Sequence, residues 1–173
     1  MRKEDIIKYL DILNSKLSNL DKTAEIVLFG GAVMCLVYGA RDFTKDVDAL
    51  FEPKDIINQV SEEIAHDYHL ANDWLNDAVK GFLSDKNDIR IYKKFSNLSI
   101  YIPFPEYLLA MKCLAARIDS SSDVDDIKFL LKKLNIVKYE DAEKILLKYY
   151  PQRRFQAKTK FLLMDIIEEM LGA

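Results

Sequence analysis

Two aspartates, Asp46 and Asp48, stand one residue apart at the head of an apolar run, Val47-Asp48-Ala49-Leu50-Phe51. Fifteen residues earlier, Gly30 and Gly31 follow Glu25–Phe29 and precede the apolar stretch Ala32–Tyr38. Residues i and i+2 of a strand project to the same face, so the two carboxylates should lie side by side. Carboxylates so placed repel one another unless a cation sits between them. Hard oxygen pairs of this kind suit Mg²⁺, whose remaining coordination positions go to water and to substrate phosphates. A strand, a double glycine and then a helix present free backbone N–H groups to an anion, and glycine lets a phosphate approach closely. Taken together, the two features describe a site for a metal-bound polyphosphate. The bland alternative is a strand-edge turn with solvated acids and an ordinary glycine turn.

The elements that would position these residues follow from periodicity. Apolar residues at helical spacing predict helices over Lys3–Leu17, Lys54–Tyr68, Glu106–Arg117, Val124–Leu134, Tyr139–Tyr149 and Phe155–Leu171. Ala32–Tyr38 reads as a short buried helix with Gly39 at its C-terminal end. Glu25–Phe29 and Asp46–Phe51 read as strands, and Ile89–Tyr92 with Leu98–Ile102 as a hairpin. Asn72–Leu83 reads as a helical turn and loop, and Asp119–Asp123 as a loop ending in a helix cap. The expected class is α/β (α+β): a small mixed sheet with helices in residues 1–104, then a helical part in residues 105–173 packed on that core.

Composition narrows the classes. The chain has 173 residues, 50% of them hydrophobic, with only five glycines and four prolines, which argues for one well-packed domain and against disorder. Net charge is −3, but acids exceed Lys and Arg between Arg41 and Arg90, and the reverse holds between Lys128 and Lys160. An acidic part suits divalent metal and a basic part suits phosphate or nucleic acid, although two ordinarily solvated faces would read the same way. Cys35 and Cys113 each lie in an apolar helical pattern and read as buried free thiols. No signal peptide and no apolar run of membrane-spanning length is visible, so a cytoplasmic protein with no membrane association is expected. His66 and His69 share a helix end without a third metal ligand, and no Gly-Lys-Ser/Thr ending makes a P-loop of the double glycine.

Gly30, Gly31, Asp46 and Asp48 resemble the signature of the DNA polymerase beta-like nucleotidyltransferase superfamily: a Gly-Gly or Gly-Ser turn, a helix and an Asp-x-Asp strand. Arg41-x-x-Thr44-x-Asp46-x-Asp48 is similar to the variant seen in minimal and antibiotic-modifying members. The resemblance implies a Mg²⁺-dependent enzyme that moves a nucleotide from a nucleoside triphosphate to an acceptor hydroxyl. Asp46 and Asp48 would hold metal, Gly30 and Gly31 the terminal phosphates. Arg41 would neutralise pyrophosphate or shape the loop, and Thr44 would cap or orient the strand. The superfamily's third carboxylate has no counterpart in Leu98–Ile102, and Asp88 is the nearest acid.

Lys112 in an apolar helical stripe, followed by Asp123, Asp125 and Asp126 at the next helix start, resembles the nucleotidyltransferase toxins of bacterial type IV toxin–antitoxin pairs (AbiEii/MenT-like). By that resemblance Lys112 would contact the triphosphate and Asp126 would assist the site or position the lysine. The acceptor would be a tRNA end, and an antitoxin protein would be a partner. An ion pair tying two helices together would place the same two residues equally well. Trp74, with Asn76 or Asp77, is a candidate for stacking on a base and lining the cleft, or else part of the core. A small-molecule, antibiotic-type acceptor and a non-catalytic binding module on the same fold both stay compatible with the sequence.

Overall fold

The computed structural model describes residues 1–117 and 120–172. Asp119, the start of the expected loop before the fifth helix, lies outside the described residues. The element order is α1 (Lys3–Asn19), β1 (Ala24–Leu28), α2 (Gly30–Leu36), β2 (Val47–Glu52), α3 (Lys54–Tyr68), β3 (Leu75–Asn76), β4 (Ile89–Lys94), β5 (Leu98–Pro103), α4 (Pro105–Ala115), α5 (Ser121–Lys133), α6 (Tyr139–Tyr149) and α7 (Ala157–Gly172). Short 3₁₀ turns occupy Ala78–Phe82 and Gln152–Arg154. This is the mixed α+β architecture that the residue pattern predicts, a small nucleotidyltransferase-like fold.

The chain divides into two compact units. The first comprises Met1–Gly81 and Ile89–Pro103, the second Phe82–Asp88 and Phe104–Ala173.

The first unit is built on one five-stranded sheet in the order β3-β2-β1-β5-β4. β1 pairs antiparallel with β2 and parallel with β5; β2 pairs parallel with β3, and β4 antiparallel with β5. One face buries Ile26, Leu28, Val47, Ala49, Phe51, Leu98, Ile100 and Ile102. Ile6, Leu10, Leu13 and Leu17 of α1 and Ile57, Val60 and Ile64 of α3, all at most 2% exposed, complete this core. The alternation follows from the two-residue period of strands. The alternate positions, Glu25, Val27, Asp48, Leu50, Glu52, Ser99 and Tyr101, keep partial or full exposure.

β3 replaces part of the expected loop. It is two residues long, pairing Val47 with Leu75 and Asp48 with Asn76. Trp74 precedes it as a core residue: it is 2% exposed, its indole N–H donates to the Ser61 carbonyl at 3.1 Å, and its ring lies 5.6 Å from that of Tyr9. The indole is therefore committed to packing and is not presented for stacking on a base.

The second unit packs α4 against α5, α6 and α7. Pro105 opens α4, where a missing N–H costs nothing. Ser120 caps α5 by accepting from the Asp123 N–H, and Asp123 lies in the first helical turn. Lys148 pairs with Asp88 and Glu106, and the Tyr149 hydroxyl donates to Asp88 at 2.7 Å. Those contacts hold the Asp88 carboxyl below its ordinary range, the Tyr149 hydrogen bond first and the lysine second.

Candidate functional site

In the first unit, Gly30 and Gly31 begin α2 one residue after β1 ends, two residues earlier than the apolar run alone suggests. Gly30 has φ +57°, a left-handed conformation that side chains rarely tolerate. A β-carbon there would lie 2.6 Å from Asp48 Oδ2. A β-carbon on Gly31 would lie 2.5 Å from Thr44 Oγ1 and 2.9 Å from Arg41 Nη1. The double glycine thus makes room for the protein's own carboxylate, hydroxyl and guanidinium at the mouth of the helix. Six residues singled out by type and spacing belong to this one neighbourhood: Gly30, Gly31, Arg41, Thr44, Asp46 and Asp48.

Strand pairing fixes Asp48. Its carbonyl accepts the Phe29 N–H at 2.9 Å, so the end of β1 and the head of β2 are joined at the glycine turn. Val47 and Ala49 on either side are fully buried, which turns Asp48 to the other face. Asp46 immediately precedes β2 and, like Asp48, is half-exposed.

The loop before it is held by Thr44. That residue is 4% exposed, and its hydroxyl donates to the Asp46 carbonyl at 3.0 Å. Its own N–H donates to the Met1 carbonyl at 2.9 Å, and its carbonyl accepts from the Met1 nitrogen at 2.6 Å.

Lys112 and Asp126 belong to the second unit, on α4 and α5. Lys112 Nζ lies 2.5 Å from Asp126 Oδ2, with side chains 11% and 2% exposed. The ion pair that the helix pattern allows is thus present, and it joins two helices. Asp88, the nearest alternative for a third carboxylate, is engaged by Lys148 and Tyr149. In the sheet row of Asp48, the neighbouring strand carries Asn76, an amide. Its side-chain oxygen accepts the Ala78 N–H, and its amide donates to the Asp73 carbonyl. Asp77 is gripped by Lys54 and Lys80, two cations that hold its carboxyl down to about 2.

Two features of this neighbourhood are absent from the sequence reading. The tie from Met1 to Thr44 spans 43 residues and involves backbone atoms only, so no residue type signals it. The placement of Asn76 beside Asp48 depends on a strand too short to show a period. Cys113 is buried, and burial pushes its thiol well up; Cys35 is buried too, and its thiol is likewise raised. His66 lies beside Asp67 and His69 ends α3 with φ 56°.

Among the described residues, no group of three or more His, Cys, Asp and Glu side chains is placed to hold a metal ion. No helix of the described residues is long and apolar enough to cross a membrane. No curated protein and no solved structure matches the chain. A family model described as a nucleotidyltransferase of unknown function (DUF6036) matches residues 7–157. That match takes in the glycine turn, the loop and the aspartate pair, and the chain belongs to this nucleotidyltransferase family.

Proposed function

We propose that this protein is a Mg²⁺-dependent nucleotidyltransferase whose reaction centre is built on Asp48 and Asp46 against the Gly30–Gly31 turn. The observation that carries the reading is the fit of Asp48 Oδ2 into the place that a Gly30 side chain would fill. A carboxylate held there, with a second one two residues before it, is a hard oxygen donor set. Two protein carboxylates with the other positions left to water and phosphate oxygens is the usual Mg²⁺ arrangement. Bound Mg²⁺ would supply Lewis-acid stabilisation of charge on the attacking and leaving oxygens.

The chain's own residues orient the rest. Arg41, over Gly31, offers a guanidinium to the triphosphate, and Thr44 fixes the Asp46 backbone. Gly30 and Gly31 offer backbone N–H groups to the terminal phosphates. The acceptor hydroxyl oxygen forms a bond to the α-phosphorus, the bond from that phosphorus to the β-bridging oxygen breaks, and pyrophosphate leaves. The hydroxyl proton passes to solvent, since no third acid stands in the sheet row of Asp48. The toxin-family resemblance, rather than any contact between the two units, is what assigns Lys112 to the triphosphate and Asp126 to positioning that lysine.

The acceptor favoured here is a tRNA end, with the protein acting as a toxin-like enzyme held in check by an antitoxin protein. Support comes from the resemblance of Lys112 and Asp126 to that toxin family and from exposed cations of the second unit, among them Lys132, Lys138, Arg153 and Lys158. A second reading, a small cationic acceptor, has its own observation. Acids outnumber Lys and Arg between Arg41 and Arg90, the stretch that carries Asp46 and Asp48, which suits a cationic acceptor.

The deciding experiment supplies each of four α-labelled nucleoside triphosphates with total tRNA or with a panel of amino-bearing small alcohols. Label in tRNA supports the first reading, and label in the small alcohols supports the second. Mg²⁺-dependent nucleotide binding with no transfer to either would replace both with a binding module.

A further inference from the structure

We propose that the first two residues of the chain are a positioning element for the reaction centre: they clamp the loop that delivers Thr44 and Asp46. The inference rests on the proposed function above. Arg2 bridges Phe43 in antiparallel fashion, and Met1 satisfies both backbone polar groups of Thr44, at 2.9 Å and 2.6 Å. The clamp has a rigid anchor. Arg2 is the N-cap of α1: its N–H donates to Asp5 Oδ2 at 2.8 Å, and its carbonyl accepts the Ile6 N–H at 3.1 Å. α1 in turn is fixed by Ile6, Leu10, Leu13 and Leu17, at most 2% exposed.

The other end of the clamp reaches the site in two short steps. Thr44 Oγ1 bonds the Asp46 carbonyl, and the same oxygen sits against Gly31. Within the loop, Asp42, Phe43 and Lys45 are exposed, Phe43 at 69%, whereas Thr44 is buried. A core helix therefore sets the register of the loop, through two residues of backbone. Groups that orient metal ligands from behind typically change metal affinity or activity by 10–100-fold when lost.

The clamp uses backbone atoms, so it predicts dependence on chain length and independence of side chain. Four chains test it. One begins at position 2 with methionine in place of Arg2, so that the residue opposite Thr44 is removed. One is full length with Arg2→Met, which carries the same side chain with the clamp intact. One has a glycine inserted between Met1 and Arg2, so that glycine supplies the paired backbone. The fourth is Asp48→Ala. The readouts are hydrogen exchange of the Thr44 amide, direct Mn²⁺ binding, and kcat and KM for nucleotide transfer.

The shortened chain should lose Thr44 protection, bind Mn²⁺ about tenfold more weakly and turn over about tenfold more slowly, with acceptor KM unchanged. Arg2→Met and the glycine-extended chain should match wild type. A shortened chain with protected Thr44 and wild-type kcat would overturn the clamp. So would loss of protection and turnover in the glycine-extended chain, which keeps the test decisive if the shortened chain does not fold. Wild-type turnover in Asp48→Ala would instead overturn the reaction centre itself, and Thr44 exchange would still judge the clamp.

Discussion

Gly30 is required twice over, by its backbone and by its neighbour. The left-handed φ costs a side-chain-bearing residue about 1–2 kcal/mol, and an added methyl would meet Asp48 Oδ2 at 2.6 Å. Gly30→Ala should therefore displace the carboxylate and lower kcat by about 100-fold, as angstrom-scale misplacement does. Gly31→Ala would instead press on Thr44 and Arg41, and steady-state kinetics should show a rise in nucleotide KM. Lys112 and Asp126 call for a different design, because Lys112→Ala leaves a buried carboxylate alone and should cost about 3–5 kcal/mol in urea unfolding. The double variant Lys112→Met/Asp126→Leu removes both charges and should recover most of that stability. If Lys112 touches the triphosphate, the double variant stays folded but needs several times more nucleotide for half-maximal rate; an unchanged nucleotide KM would make the pair structural only. At this scale the Asp-x-Asp at a strand head and the double glycine point to the nucleotidyltransferase family to which the chain belongs. The sequence does not reveal that Gly31 faces Thr44 and Arg41, because the loop from Arg41 to Lys45 has no period from which contacts could be read.

The strands and helices were legible where their period was long. α3 and α6 fall on the expected residues, and α1 runs two residues beyond its apolar stripe. β3 was not legible: two residues cannot show an alternation, and its pairing with β2 is a tertiary fact. Trp74 is the anchor of that segment, so Trp74→Ala should destabilise the first unit by about 3–5 kcal/mol, read as a lower denaturant midpoint. Asp77 ties the following 3₁₀ turn to α3 through Lys54 and Lys80. Its folded-state carboxyl is depressed to about 2 from an ordinary 3.8. The contribution is therefore complete above the ordinary value and is lost as pH falls through about 2. The side chain is 30% exposed and screened, so the contribution is at most about 1 kcal/mol. Asp77→Asn should lower stability at pH 7 by that small amount and leave it unchanged below pH 2 in acid-unfolding curves.

Across the whole molecule, charge is segregated along the chain, and much of the basic excess is already spoken for. Lys128 pairs with Glu169, Lys144 with Asp141, and Lys148 with Asp88 and Glu106. A basic tally from sequence alone therefore overstates the cations available to a phosphodiester partner, because ion pairing depends on helix packing. The exposed Lys132, Arg153 and Lys158 are the better candidates. With tRNA as acceptor, Arg153→Glu/Lys158→Glu should weaken tRNA binding and reduce the salt dependence by about one to two units of log–log slope, measured by filter binding over a salt series. The central claim is narrower than the acceptor: Asp48 and Asp46, against the glycine turn, transfer a nucleotide. It is tested most directly by supplying triphosphate labelled at the α- or the γ-phosphorus to wild type and Asp48→Ala, with and without Mg²⁺. The account predicts acceptor labelled from the α-position only, labelled pyrophosphate from the γ-position, and neither in Asp48→Ala or without metal. Label passing to acceptor from the γ-position, or α-label transfer that survives Asp48→Ala, would contradict it.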